Sequence, residues 1–140
     1  MSPFLRAREE ALKLRYELVG SHAANPIPTK DLLGNVENVL NLGIKEVPHT
    51  SGVLKGGHAT LRRSERWLYC RQDYHWADKA YLIAHELGHF ALDPDIDEDT
   101  VYRNAEGFIA SSPAAAYVEA YGARERDELQ KNVFGRELLL

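Results

Sequence analysis

Only one cysteine, Cys70, occurs in this sequence of 140 residues, so an internal disulfide is excluded. A chain with so little cysteine fits a reducing compartment such as the cytoplasm. The most apolar stretch, residues 80–92, is too short to span a bilayer and contains histidine and glutamate. Charged residues at 6–10 interrupt any signal-peptide pattern at the start. We therefore expect a soluble, cytoplasmic protein without a membrane segment.

An excess of positive charge is also missing. The net charge is -4 at pH 7, which gives no general affinity for nucleic acid. The basic residues near the start alternate with glutamates, a pattern typical of a solvated helix face rather than a phosphate-binding patch: Arg6, Arg8, Lys13 and Arg15. No direct nucleic-acid binding by this domain is therefore expected.

Hydrophobic periodicity predicts a single α+β domain over residues 1–140, without internal repeats or low-complexity segments. The predicted order is a helix from Pro3 to Val19, a helix from Thr29 to Leu42 that ends at Gly43, a strand at 44–47, a hairpin of 59–61 and 67–71, and helices at 78–92, 101–109, 112–121 and 123–140. The residues expected inward are Leu5, Leu12, Tyr16 and Val19 on the first helix, Leu32, Leu33, Val36, Val39 and Leu40 on the second, and Leu129, Val133, Phe134 and Leu138 on the last.

Residues 85–89 read His-Glu-Leu-Gly-His and form an H-E-x-x-H motif. Positions i and i+4 of an α-helix lie on one face, so His85 and His89 can both point at one metal ion. Zinc accepts neutral histidine nitrogen, and a catalytic zinc site takes three protein ligands and a water. Glu86 follows His85 directly and lies beside the two ligand histidines, where its carboxylate can take a proton from that water. The arrangement is typical of zinc-dependent peptide hydrolysis.

The surroundings of the motif favour a metal site over two structural histidines. An apolar stripe with helical spacing predicts a helix from about Asp78 to Leu92: Ala80, Ile83, Ala84, Leu87 and Ala91. Asp78 or Asp73 is expected to cap its start, and Asp93-Pro94 to end it. The acids at 93–99 lack the fixed Gly and Glu of a calcium loop and are expected to form a solvated loop.

A third zinc ligand must be sought downstream, where no histidine follows His89. A carboxylate is therefore required. The candidates on predicted helices are Glu106, Glu119, Glu125, Asp127, Glu128 and Glu137, and spacing alone does not choose among them. Cys70 is a further candidate because thiolate binds zinc well, but it follows an apolar run and is expected to be a small buried residue of a strand.

Two segments resemble the ImmA/IrrE family of metallopeptidases. Residues 81–90, Tyr-Leu-Ile-Ala-His-Glu-Leu-Gly-His-Phe, look like its active-site helix. Residues 128–140, Glu-Leu-Gln-Lys-Asn-Val-Phe-Gly-Arg-Glu-Leu-Leu-Leu, resemble its second motif, which reads roughly Glu, two variable residues, Ala, Asn, one variable residue, Phe-Ala and then Glu-Leu-Leu-Met-Pro. The order of predicted elements before the histidine helix is similar too, so the resemblance covers most of the chain. Lys131 and Gly135 replace the two alanines.

The resemblance implies a small zincin-like α+β domain, with helices packed on a short sheet and the H-E-x-x-H helix at its centre. It implies Zn²⁺ held by His85, His89 and Glu128, and Glu86 as the catalytic base. It also implies cleavage of a specific intracellular protein, such as a transcriptional repressor or an antitoxin of a bacterial or phage system. The chain ends where the family's proline would follow, so we expect either a domain excised from a longer, multidomain protein or a chain that ends at an unusual place.

Other interpretations stay open. The stretch between the motif and Glu128 is longer than is common in the family, which keeps Glu119 and Glu125 as alternative ligands. Lys131, one turn from the proposed ligand, favours a catalytically weak zinc-binding sensor or a partner-recruitment module of a larger protein. The ligand types also fit manganese or another divalent ion. A structural zinc site would need four closed protein ligands.

Peptide hydrolysis needs two further elements. The hairpin strands at 57–71 are expected to pair with an extended substrate, as metalloproteases often bind peptide by strand addition. The carbonyl oxygen gains negative charge and needs a donor besides the metal. The candidate donors are Tyr81, Tyr102, Tyr117, Tyr121 and His75.

Overall fold

The described part of the chain contains five α-helices, two one-turn 3-10 helices (Gly20–His22 and Gly52–Leu54) and four strands; in this computed structural model it comprises residues 2–25, 28–95, 100–102 and 123–140. The elements in chain order are α1 (Pro3–Val19), α2 (Thr29–Gly34), α3 (Val36–Leu40), β1 (Gly43–Val47), β2 (Ala59–Arg62), β3 (Trp67–Arg71), α4 (Trp76–Leu92), β4 (Thr100–Tyr102) and α5 (Ala123–Leu139). The predicted α+β class is confirmed. The helices predicted at 112–121 and over the rest of 103–109 lie outside the described residues.

The four strands form one sheet in the order β1-β3-β2-β4. β2 and β3 form the predicted antiparallel hairpin, with Leu61 opposite Leu68 and Ala59 opposite Cys70. Side chains alternate across a strand, so these four buried residues share the face that packs on the helices. β1 lies parallel to β3, and β4 lies antiparallel to β2.

The hairpin strands are interior strands of this sheet. β3 pairs with β1 and β2, and β2 pairs with β3 and β4. The expectation that the hairpin at 57–71 offers a pairing edge to a peptide is therefore wrong, because its backbone groups already bond to neighbouring strands. The residues predicted as the start of a helix at Val101 instead form β4, where pairing with β2 overrides the local pattern.

Helix α1 has the predicted bounds, and the Ser2 hydroxyl accepts a hydrogen bond from the amide of Phe4 ahead of Pro3. Its buried face is different from the predicted one. Leu5, Leu12 and Tyr16 are 46%, 53% and 63% exposed. The buried stripe is Ala7, Ala11, Leu14, Arg15 and Leu18. Both stripes have helical spacing. The stripe with the two alanines is the buried one, because their small side chains let α1 pack closely on its neighbouring helices.

The segment predicted as one helix from Thr29 to Leu42 is two short helices, α2 and α3, which meet at Asn35. Asn35 donates from its side-chain amide to the carbonyl of Leu18. The left-handed residue that ends α3 is Asn41 rather than the predicted Gly43. Gly43 begins β1, where a Cβ would lie 2.5 Å from the Trp67 ring. Val39, expected inward, is 41% exposed.

A buried arginine joins the two ends of the fold. Arg15 is 2% exposed, and its guanidinium donates to the carbonyls of Ala23, Asn25 and Leu138 at 2.7, 2.8 and 2.8 Å. The planar fork of arginine suits several acceptors in fixed directions. The bond to Leu138 holds the C-terminal end of α5 against α1.

We expect Arg15→Ala to lower the free energy of unfolding by about 3 kcal/mol, because it leaves buried carbonyls without a donor and opens a cavity. Urea unfolding followed by circular dichroism measures the change. Lys13→Ala, at an exposed position of the same helix, should change the value by no more than about 0.5 kcal/mol. Equal effects of the two variants would contradict an anchoring role for Arg15.

Helix α4 contacts β2 and β3 of the sheet and also α1 and α5. Contact from several sides explains why its buried residues are not confined to one stripe. The helix begins earlier than predicted, with His75 in the capping position and Asp78 within the first turn. Asp73 is instead ion-paired with Arg71, and Asp93 ends the helix as predicted. Within the described ranges, no helix has the length and apolar character needed to cross a membrane.

Candidate metal centre

The second half of α4 carries the H-E-x-x-H motif in a buried position. His85 and His89 are 1% and 5% exposed, and Glu86 between them is fully buried. The two imidazole rings lie one helical turn apart with centroids separated by 5.1 Å. The helical spacing thus brings both rings to one place, as the motif predicts.

Helix α5 brings a carboxylate to the two imidazoles. Glu128 Oε2 lies 2.7 Å from His85 Nε2, and Glu128 Oε1 lies 3.3 Å from His89 Nε2. One ligand atom from each of the three residues lies within 4.8 Å of the other two, a grouping able to hold a metal ion. The Glu128 side chain is 42% exposed, so the group opens to solvent on the side of α5.

Two glycines let α4 and α5 approach closely. A Cβ on Gly88 would lie 3.3 Å from Lys131, and a Cβ on Gly135 would lie 3.3 Å from Ala84 and from the amide of His85. Since later residues of α5 meet earlier residues of α4, the two helices run antiparallel. Gly135, which departs from the alanine of the family pattern, thus lies where a side chain would press on the backbone of a proposed ligand.

The other nitrogen of each imidazole faces a polar side chain, which lies within hydrogen-bond distance at His85 and farther away at His89. The Nδ1–H of His85 donates to Asn132 Oδ1 at 2.7 Å. His89 Nδ1 lies 3.9 Å from Asp93 Oδ2. In metalloprotein sites such partners fix the tautomer and the orientation of a ligand imidazole. Here they leave Nε2 of both rings facing Glu128.

The charge of Glu128 is fixed by its surroundings. Burial acts to raise the pKa of its carboxyl, but hydrogen bonds from His85 and His89 and the charge of these imidazoles outweigh burial and hold the pKa well below its usual range. Glu128 is therefore ionised at neutral pH. An ionised carboxylate is the form that a metal ligand requires.

The residues fit a divalent ion such as zinc. Two imidazole nitrogens and one carboxylate oxygen are the donor types of a three-ligand zinc site. A tetrahedral ion at about 2.1 Å from its ligands would hold them about 3.4 Å apart. The two histidine-to-glutamate separations, 2.7 and 3.3 Å, need only a small opening to reach that spacing, and all three donor atoms lie within 4.8 Å of one another.

Cys70, considered as an additional ligand, is not in this group. It is fully buried in β3, as predicted. Burial, together with the negative charge of Glu46, raises the pKa of its thiol to about 12. The thiol is therefore protonated at neutral pH, and zinc binds thiolate.

The other carboxylate candidates either lie away from His85, His89 and Glu128 or have side chains outside the described residues. Glu137 is 3.5 Å from Arg8, with which it forms an ion pair. Glu125 and Asp127 lie on α5, and their side chains are outside the described residues. Glu106 and Glu119 also lie outside them.

Among the candidate donors to the carbonyl oxygen, Tyr81 lies one turn before His85 on α4 and its hydroxyl is buried. His75 precedes His85 by ten positions, which is about 15 Å along a helix axis, so it does not serve the same site. β4 contains Tyr102, whose side chain is outside the description, as are Tyr117 and Tyr121.

Two supporting residues were not identified as such from the sequence. Asn132 follows Glu128 by four positions, so helical spacing could have marked it as a neighbour of the ligand. Asp93, assigned to a solvated loop, instead directs its carboxylate to Lys131 Nζ at 2.9 Å. The buried Lys131 thus directs its ammonium group to the carboxylate at the end of α4.

Comparisons with protein-family models, with curated proteins and with solved structures find no match for this chain. The resemblance to the ImmA/IrrE metallopeptidases therefore stays a prediction from the two motifs.

Proposed function

We propose that this chain is a zinc-dependent endopeptidase domain of the zincin-like type. The observation that supports this most is the convergence of His85, His89 and Glu128, with donor atoms within 4.8 Å, around a helix that also carries the buried Glu86. Three protein ligands and an open side are typical of catalytic rather than structural zinc sites.

In this proposal, His85, His89 and Glu128 hold the ion. A bound zinc ion supplies a Lewis acid for a peptide carbonyl and lowers the pKa of a water to about 7. Glu86 accepts the proton of the attacking water and then delivers it to the nitrogen of the leaving amine, so the carboxylate is regenerated. Asn132 holds the ring of His85 so that Nε2 stays directed at the ligand group.

The proposed substrate is a specific intracellular protein, such as a repressor or an antitoxin, and the proposed compartment is the cytoplasm. The substrate class rests on the motif resemblance alone. The compartment is supported by the presence of a single cysteine in the sequence.

Metal loading and removal test the proposal. Protein purified without added metal is analysed for zinc, stripped with a chelator and reloaded, and each form is assayed on a mixture of internally quenched peptides. We expect about one zinc per chain, cleavage by the loaded form, loss on stripping and recovery on reloading. A wild type that takes up no zinc contradicts the metal site, whereas a loaded protein that cleaves neither peptides nor candidate proteins contradicts the peptidase.

The alternative, a zinc-binding recruitment module without catalysis, was favoured by the position of Lys131. Its ammonium group pairs with Asp93 at the end of α4, so the position of Lys131 no longer favours this alternative. The peptidase is therefore the better-supported reading.

A further inference from the structure

We propose that Lys131 and Asp93 are positioning residues for the metal ligand His89. The proposal rests on the proposed metal site and adds two residues that act through His89 rather than on the substrate. The observation behind it is a series of neighbouring polar side chains that leads from α5 to α4 and back to the ligand Glu128, with an ion pair between Lys131 and Asp93 and a longer, 3.9 Å step from Asp93 to His89.

The path begins on Lys131, which is fully buried. Its stem lies against Gly88, and its ammonium group lies 2.9 Å from Asp93 Oδ2. The same carboxylate oxygen lies 3.9 Å from His89 Nδ1, and His89 Nε2 lies 3.3 Å from Glu128 Oε1. Glu128 and Lys131 are three positions apart on α5, so a single turn of this helix supplies both ends of the path.

A purely structural role explains the pair poorly. A buried ammonium group loses its hydration, and an apolar side chain of similar volume would fill the same space at lower cost. What the lysine adds is a fixed charge that holds the Asp93 carboxylate beside one particular imidazole nitrogen. A carboxylate behind a ligand histidine orients the ring and raises its basicity toward the metal.

The last turn of α4 is also held through its backbone. The Arg63 guanidinium donates to the carbonyls of His89 and Asp93 at 2.7 and 2.9 Å, and Arg6 donates to the carbonyl of Leu92 at 2.9 Å. Cations at this end of a helix are favourable. These two arginines fix the main chain, whereas Lys131 acts on the side chain that faces the His89 ring.

The two ligand histidines are thus supported from consecutive residues of α5. Asn132 contacts His85 directly, and Lys131 reaches His89 through Asp93. The lysine that departs from the family pattern then has a specific use in this chain, since it works together with an aspartate at the end of α4.

The experiment compares zinc affinity, by competition with a chelator of known affinity, in wild type, Lys131→Met, Asp93→Asn and the double variant. The visible spectrum of the Co²⁺-substituted protein reports ligand geometry. We expect each single variant to bind zinc about 10-fold to 100-fold more weakly and to shift the Co²⁺ bands. The double variant should be little worse than either single one, because both remove the same contact. Lys131→Arg should recover most of the affinity.

Lys79→Met is the matched control. Lys79 lies on α4 and, like Lys131, forms an ion pair with a carboxylate, but its partner is Glu46, away from the ligands. It should leave zinc affinity and the Co²⁺ spectrum unchanged. If Lys131→Met does not fold, Asp93→Asn, which keeps the shape of the side chain, decides. Unchanged affinity and spectrum in Asp93→Asn would overturn the positioning role, even if unfolding becomes easier.

The outcomes separate this proposal from the function on which it rests. A wild type that binds zinc but cleaves no peptide leaves the positioning measurement intact. Zinc affinity that Glu128→Gln also leaves unchanged would show that the metal site itself is wrong, and a wild type without zinc affinity overturns both.

Discussion

Replacing Glu86 with glutamine is expected to lower kcat/KM for peptide cleavage by about 10²-fold to 10⁴-fold while the zinc content stays at the wild-type level. Glutamine has nearly the same shape as glutamate, so it fits the fully buried site of Glu86. Its amide cannot accept a proton from water. The loss should therefore appear in the chemical step and not in metal binding.

The measurement combines the initial rate on internally quenched peptides with elemental analysis of the same samples. Glu9→Gln, at an exposed position of α1, controls for the removal of one negative charge and should keep full activity. Full activity in Glu86→Gln would contradict the role of Glu86 as the base. Loss of zinc together with activity would instead make Glu86 a determinant of the metal site.

Replacing Glu128 with glutamine is expected to weaken zinc binding by more than about 100-fold, which exceeds the usual effect of losing a residue behind a ligand. Glu128 is the only carboxylate among the described residues in the ligand group, and an amide oxygen is a much weaker zinc ligand than a carboxylate. The ionised state of Glu128, which its two imidazole neighbours favour, disappears with the substitution.

Competition with a chelator gives the zinc affinity of this variant. Glu125→Gln is the control that discriminates, because Glu125 lies one turn earlier on α5 and was an alternative ligand from the sequence. It should bind zinc as the wild type does. Retained zinc in Glu128→Gln with loss in Glu125→Gln would move the third ligand by one helical turn.

The local patterns of this sequence predict its elements better than their contacts. The hairpin and the helices α1, α4 and α5 follow from periodicity and from Ser2, Pro3 and Asp93 at their ends. The buried face of α1 does not, because two stripes have helical spacing and only the neighbouring helices select between them. In the same way, β4 forms where pairing with β2 outweighs the local preference.

In the candidate site too, the residues within one helix could be predicted from their spacing, whereas the contacts between helices could not. His85, Glu86 and His89 lie within one turn of a helix, so their spacing alone predicts that they share a site. Glu128 is separated from His85 by 43 positions and was assigned by the motif resemblance, because no local pattern relates the two helices. The contact between Asp93 and Lys131 could not be predicted from one sequence, since nothing in either segment indicates the other.

The close contact of α4 and α5 through Gly88 and Gly135 has a consequence for ion size. A methyl group at either position would meet its neighbours at 3.3 Å, so the helices would have to separate by a few tenths of an ångström. Zinc lies about 2.0 to 2.2 Å from its ligands and calcium about 2.3 to 2.6 Å, a difference of the same order. In the proposed metal site, we therefore expect these two glycines, one of them at the second variable position of the motif, to keep the donor atoms at the spacing of a small ion.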